Sequence, residues 1–161
     1  RIVQETRFIV IAFDAIQATA AAAIAASQYL TPNPAVKVIV ARGLEEQVVE
    51  DELETKGCVV VVNPITRAVK KDAAAGCLLV VCEISIECVI NPFRNYQSDG
   101  ALRDPGKLVN AVATALLQWK PGPGDTRFTP SEEFVSLSVG DDGVFQYTVF
   151  FQKNASLTFL I

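Results

Sequence analysis

The run from Cys77 to Ile90 (CLLVVCEISIECVI) constrains this chain more than any other stretch. Its even positions, Leu78, Val80, Cys82, Ile84, Ile86, Cys88 and Ile90, are all apolar, while Glu83, Ser85 and Glu87 hold the odd positions at its centre. A β-strand sends successive side chains to opposite faces, so a period of two buries one face and wets the other. Leu79, Val81 and Val89 are apolar on the second face as well, so only the middle of that face should meet water. The pattern predicts one long central strand, longer than strands usually are.

The elements around it follow from local signals. Phe8 to Ala26 is Ala-rich and apolar, but Asp14, Gln17 and Thr19 interrupt it, and a charge at the centre of a membrane span is costly. It also lacks the compact apolar block and cleavage site of a signal peptide. Ile9, Phe13, Ile16, Ala20 and Ile24 share one helical stripe, which predicts an amphipathic helix within residues 1–30, ended by Pro32 and Pro34. Ala35–Ala41 (AVKVIVA) is β-branched and reads as a strand. Glu45–Glu54 (EEQVVEDELE) reads as a short acidic helix, with a strand arm of a long hairpin as the alternative.

Cys58–Val62 (CVVVV) is an apolar run of strand length stopped by Asn63-Pro64, and Asn91-Pro92 stops the central strand in the same way. Between the two strands, Thr66–Gly76 (TRAVKKDAAAG) reads as the extended tip of a hairpin, longer than ordinary hairpin loops. Phe93–Arg103 reads as loop. Asp104-Pro105 then supplies an N-cap and a first helical residue for a helix carrying Leu108, Val109, Val112, Ala115, Leu116 and Trp119, which Pro121-Gly-Pro-Gly ends. Val135, Leu137 and Val139, the Gly140-Asp-Asp-Gly143 turn, then Phe145, Tyr147, Val149 and Phe151 predict a closing hairpin over residues 133–153. The expected fold is α+β: a two-layer sandwich of a mainly antiparallel sheet with two helices on one face, forming a single domain over 1–161.

Composition narrows the function. A chain of 161 residues that is 50% hydrophobic can bury a proper core. The net charge of -4 provides no basic stripe for phosphates, so no direct nucleic-acid recognition is expected, and no membrane partner either. There is no histidine, which removes the commonest general base and metal ligand. Methionine is also absent, including at position 1, and the expectation is that the natural chain starts upstream of Arg1.

The four cysteines, Cys58, Cys77, Cys82 and Cys88, form no CxxC pair and read as small buried hydrophobes, so neither metal nor cofactor is expected. Glu83 and Glu87 share the wetted strand face, where they read as polar surface; a carboxylate pair for glycoside chemistry is the alternative. Pro121-Gly-Pro-Gly-Asp-Thr follows a helix and lacks a Lys-Ser/Thr, so it is not a phosphate loop. Asp141 and Asp142 lack the spacing of a calcium loop and read as turn residues.

The remaining signal is charge. Glu45, Glu46, Glu50, Asp51, Glu52 and Glu54 form an acidic block, and Arg67, Lys70 and Lys71 form a basic one a strand later. They read either as two solvated segments or as complementary halves of a contact between copies. A heterologous contact of that kind, repeated by rotation, closes into a ring.

In its order of elements the chain resembles the tail terminator, or tail completion, proteins of long-tailed bacteriophages. The stretches that carry the resemblance are RFIVIAFDAIQATAAAAI, AVKVIVA, CVVVVNPI through ECVINPFRN, KLVNAVATALLQW and EEFVSLSVGDDGVFQYTVFFQ. The match is one of layout and spans nearly the whole chain, with the acidic segment Glu45–Glu54 as a departure. The resemblance implies a viral structural protein without enzymatic activity: a homo-oligomeric ring, commonly a hexamer, that caps the tail tube and joins it to the head. Its partners would be the tail tube protein and the head–tail connector protein, and its place the tail or neck of a virion assembled in the host cytoplasm. The alternatives are another neck component, or a small α+β enzyme or ligand-binding domain using the Glu83/Glu87 face.

Overall fold

The computed structural model describes residues 2–30, 36–43, 45–74, 77–95 and 105–158. Its elements are α1 (Ile2–Ala25), β1 (Val38–Val40), α2 (Glu46–Lys56), β2 (Cys58–Val62), β3 (Arg67–Ala74), β4 (Cys77–Ile90), α3 (Pro92–Asn95), α4 (Pro105–Gln118), β5 (Thr129–Val139) and β6 (Phe145–Thr158). The class is α+β, with a six-stranded mixed sheet in the order β1-β2-β4-β6-β5 and β3 beside β4.

The alternating run is the central strand, β4. It pairs antiparallel with β6 over its whole length, from Cys77↔Thr158 to Ile90↔Phe145. Its other edge is divided: β2 takes Ile86–Ile90 and β3 takes Cys77–Glu83. Val80, Cys82, Ile84, Ile86, Cys88 and Ile90 are buried in one cluster with Ile16, Ala20 and Ile24 of α1, Leu108, Val112 and Leu116 of α4, and Phe151 of β6. Burying an aliphatic or aromatic side chain of this size is worth about 1.5–3 kcal/mol, so this face supplies most of the cohesion.

The acidic segment is a helix, and the reason is topological. Strands β1 and β2 are parallel, so the chain must cross over between them, and a hairpin arm cannot do that. Gly57 ends α2 in the left-handed region, at φ 78, and its N–H donates to the Leu53 carbonyl at 3.1 Å. Val49 and Leu53 of α2 pack with Ile39, Val59, Val61 and Val89, a second cluster on the opposite face from α1 and α4. This covers β2 on both sides, and its five residues are all buried.

Three expectations change. Thr66–Gly76 is not a free tip, because Arg67–Ala74 is a strand laid along the spare edge of β4. The strand predicted over Ala35–Ala41 is confined to Val38–Val40 among the described residues. The loop predicted over Phe93–Arg103 opens in a short helical turn, α3. Pro32, Pro34 and Asp104, assigned to a helix stop and a helix cap, lie outside the described residues, as does the rest of that loop.

Two polar side chains tie the layers together. Gln17 of α1 is 1% exposed, and its Nε2 donates to the carbonyls of Ala41 and Val62 at 2.9 Å each, joining the helix to the ends of β1 and β2. Lys153 of β6 is 5% exposed and faces the segment that follows α4. Its Nζ donates to Asp125 Oδ1 and to the Thr126 carbonyl at 2.6 Å each, and lies 5.1 Å from the Trp119 ring centre and 5.4 Å from that of Phe128. The acceptors and ring faces offset the cost of taking the ammonium out of water.

Gln17→Leu keeps the volume but leaves the Ala41 carbonyl without its side-chain donor, and should cost roughly 1–3 kcal/mol in urea unfolding. Wild-type stability in that variant would show that these bonds do not tie α1 to the sheet. The hydrogen bond from Lys153 holds the Asp125 carboxyl below its usual range, with the Thr126 N–H adding to the effect and partial desolvation opposing it. Asp125 therefore stabilises the fold above the unfolded carboxylate value of about 3.9, and that contribution is lost as pH falls through the lower folded value. Asp125→Asn should flatten the acid limb of the stability profile measured by thermal melting between pH 2 and pH 5, a window that brackets that value; an unaltered limb would remove Asp125 from the acid response.

Candidate functional site

The basic residues singled out from sequence all lie on β3. Every described side chain of that strand from Arg67 to Ala73 is exposed, and Val69 is 52% exposed despite being apolar. Residues on a strand alternate in direction. Arg67 and Val69 stand opposite Glu83 and Val81 on the face away from α1 and α4, whereas Lys70 stands opposite Val80 on the helix-bearing face. The register shifts between Lys70 and Asp72, placing Lys71 in a bulge. Among the described residues, Arg67, Lys70 and Lys71 make no ion pair.

The acidic block sits elsewhere, on and before α2, and part of its charge is already used. Glu45 accepts from the backbone N–H groups of Arg42 and Gly43. Asp51 accepts from Gln47 Nε2 at 2.9 Å, and Glu52 lies 3.0 Å from Lys56 Nζ and 3.9 Å from Lys37 Nζ. Glu46 and Glu50 are exposed. The two blocks do not meet within one chain: α2 lies over the β1–β2 end of the sheet, and β3 lies along the opposite half of β4.

A different acidic feature faces solvent on the sheet surface away from α1 and α4. Arg67, Glu83, Gln152 and Thr129 line up in register across β3, β4, β6 and β5. Beside that row, β5 loses register between Pro130 and Val135, so residues 131–134 bulge against one residue of β6, Phe150. The bulge bends β5 and makes a concavity of about 480 Å³. Glu83, Ser131, Glu132, Glu133, Gln152 and Arg67 line it, and Val81 and Phe150 supply apolar surface. Three carboxylates thus face one guanidinium, and among the described residues none of the four is ion-paired. Ser131 is 7% exposed and its buried Oγ has no hydrogen-bond partner among the described residues. A buried hydroxyl in that state is unusual in a folded chain.

Glu83 and Glu87 do not act as a pair here. They are about 13 Å apart along the strand, and only Glu83 reaches the concavity. Glu87 stands between Val61 and Thr148.

The cysteines sit as small hydrophobes. Cys58, Cys82 and Cys88 are buried, Cys77 is half-buried with Sγ 2.9 Å from Ser156 Oγ, and none forms a disulfide. Desolvation raises the Cys58 thiol to about 11 and that of Cys88 to about 12, so both stay protonated and unreactive at neutral pH. Among the described residues no cluster of three metal-ligating side chains occurs, and no helix is long and apolar enough to cross a membrane.

Sequence reading missed Ser131, Glu132, Glu133 and Gln152. The adjacent pair Glu132-Glu133 at the entry to a strand was the available signal; the bulge that turns it toward Glu83 was not visible. Comparison of the chain with protein-family models and with curated proteins gives no match.

Proposed function

We propose that this chain is a structural component of a phage virion, a tail terminator whose copies assemble into a ring that caps the tail tube and joins it to the head. Its body on this reading is a two-layer sandwich, with α1 and α4 on one face of a mainly antiparallel sheet, and α2 adds cover on the other face at the β1–β2 end alone. The observation that carries the proposal is β3, an eight-residue strand that the chain builds but does not bury. Within one copy it gains only a ladder to β4, and its cations and Val69 stay open to solvent. A strand left in that state offers a backbone edge, charge and apolar surface to a neighbour. The elements α1, β1, β4, α4 and the β5–β6 hairpin follow in the order of the layout on which the resemblance rests, with α2 as the departure.

Partners on this reading are further copies of the chain, the tail tube protein and the head–tail connector protein, in the tail or neck of a particle assembled in the host cytoplasm. The chain acts by shape, without catalysis or cofactor. One observation favours a second reading, a ligand-binding domain: the concavity at Glu83.

Sedimentation velocity of the purified chain should show a closed oligomer, and electron microscopy should place rings at the ends of tail tubes. Tubes grown without the chain should run past their normal length and fail to join heads. A chain that stays monomeric at all concentrations and leaves tube length unaltered would overturn the proposal.

A further inference from the structure

The basic strand β3 supplies one cation, Arg67, to the wall of the acidic concavity in its own chain, but Lys70 and Lys71 are not part of that lining. Lys70 projects to the helix-bearing face, and the concavity lies on the other. Among the described residues Lys70 and Lys71 have no ion-pair partner, and in the concavity the three carboxylates Glu83, Glu132 and Glu133 outnumber the one guanidinium of Arg67, none of them ion-paired. Ser131 adds an independent sign of an absent partner, a buried hydroxyl on the lining of the concavity with no hydrogen bond among the described residues. Leaving such a group unpaired costs about 1–3 kcal/mol, which an incoming donor recovers.

We propose that the concavity receives the β3 edge of a second copy, with Lys70 and Lys71 of one chain set against Glu132, Glu133 and Glu83 of the next. This rests on the assembly reading and assigns its contact, moving the acidic half of the joint from α2 to the bulge in β5. The volume of about 480 Å³ suits a few side chains rather than a folded element. The donor edge and the acceptor surface are different parts of the chain, so the contact is heterologous, and each copy gives one edge and accepts one. The charges are exposed, so the contact weakens with salt.

The test uses two charge-reversed chains, K70E/K71E and E132K/E133K, with sedimentation velocity as the readout. All four side chains are exposed, so the variants should melt like wild type. Each variant alone presents like charges at every joint and should weaken association by roughly a hundredfold. Mixed in equal amounts, the two restore opposite charges at both joints, and the ring should return to within about tenfold of wild-type affinity, a gap of 1.4 kcal/mol. If either double reversal perturbs melting, the single reversals K71E and E133K replace it. Rings that form equally well in each variant alone would overturn this contact while leaving the assembly reading standing. Association lost in each variant and absent from the mixture would overturn it as well. A wild-type chain that never associates would remove the assembly reading itself.

Discussion

The fold depends on the mismatch between the two edges of β4. One edge is fully matched, because β6 has the same length and the two pair from end to end. The other edge meets β2, which is five residues long against fourteen for β4. A strand with a long unpaired edge inside a sheet is unstable toward pairing with anything that reaches it. The chain resolves this by folding Arg67–Ala74 back along the remainder. That segment has little strand propensity of its own, since Ala, Lys and Asp make up most of it and Val69 is its one β-branched residue. Its conformation is imposed by the vacancy beside it rather than by its own side chains, which is why they remain exposed.

The two ends of the sheet accordingly differ in character. At the β1–β2 end, α1 and α2 cover opposite faces, Gln17 anchors both strand ends, and β2 reads as a continuous apolar run. At the other end one face carries α1 and the Lys153-pinned segment after α4, while the opposite face holds the concavity. Lys153 marks the change: its neighbour on β4 is Cys82, in the apolar cluster, yet its ammonium is held by a carboxylate and a carbonyl from the segment between α4 and β5. Asp125, in the Gly-Pro segment that only superficially resembles a phosphate loop, thus serves to hold that segment down on the sheet and lead the chain into β5.

What the sequence made legible is what a local period can encode. The alternation in 77–90 and the helical spacing from Leu108 to Leu116 each bury one face of one element, the glycine-bounded turn joins β5 to β6, and each is found in place. The acidic segment was ambiguous because EEQVVEDELE fits a short helix or an arm; the parallel pairing of β1 with β2 decided it, and pairing direction is a long-range fact. No alternation marks TRAVKKDAAAG, so its residues alone predict a tip where the strand β3 lies. The concavity was invisible for a stronger reason: it draws on four strands that are neighbours in space but scattered along the chain, and on a bulge with no residue signature. Of the residues named as interface candidates from sequence, Arg67, Lys70 and Lys71 stand exposed and unpaired among the described residues, while Glu45, Asp51 and Glu52 have partners inside the chain.

Charge on the two sides of the sheet also bears on which self-contacts are permitted. Two β3 edges brought together would set Lys70 and Lys71 against their own copies, and two β5 entries would set Glu132 and Glu133 against theirs. Like charges placed opposite one another across a ladder destabilise it. Both symmetric pairings are therefore disfavoured, and the pairing of unlike surfaces is the one that electrostatics leaves open. The apolar stripe Val135, Leu137 and Val139, each more than a third exposed on β5, would otherwise favour back-to-back association, since apolar contact is indifferent to direction. On the proposed reading, the carboxylates that begin the same strand are what turn a generally adhesive edge into a directional one.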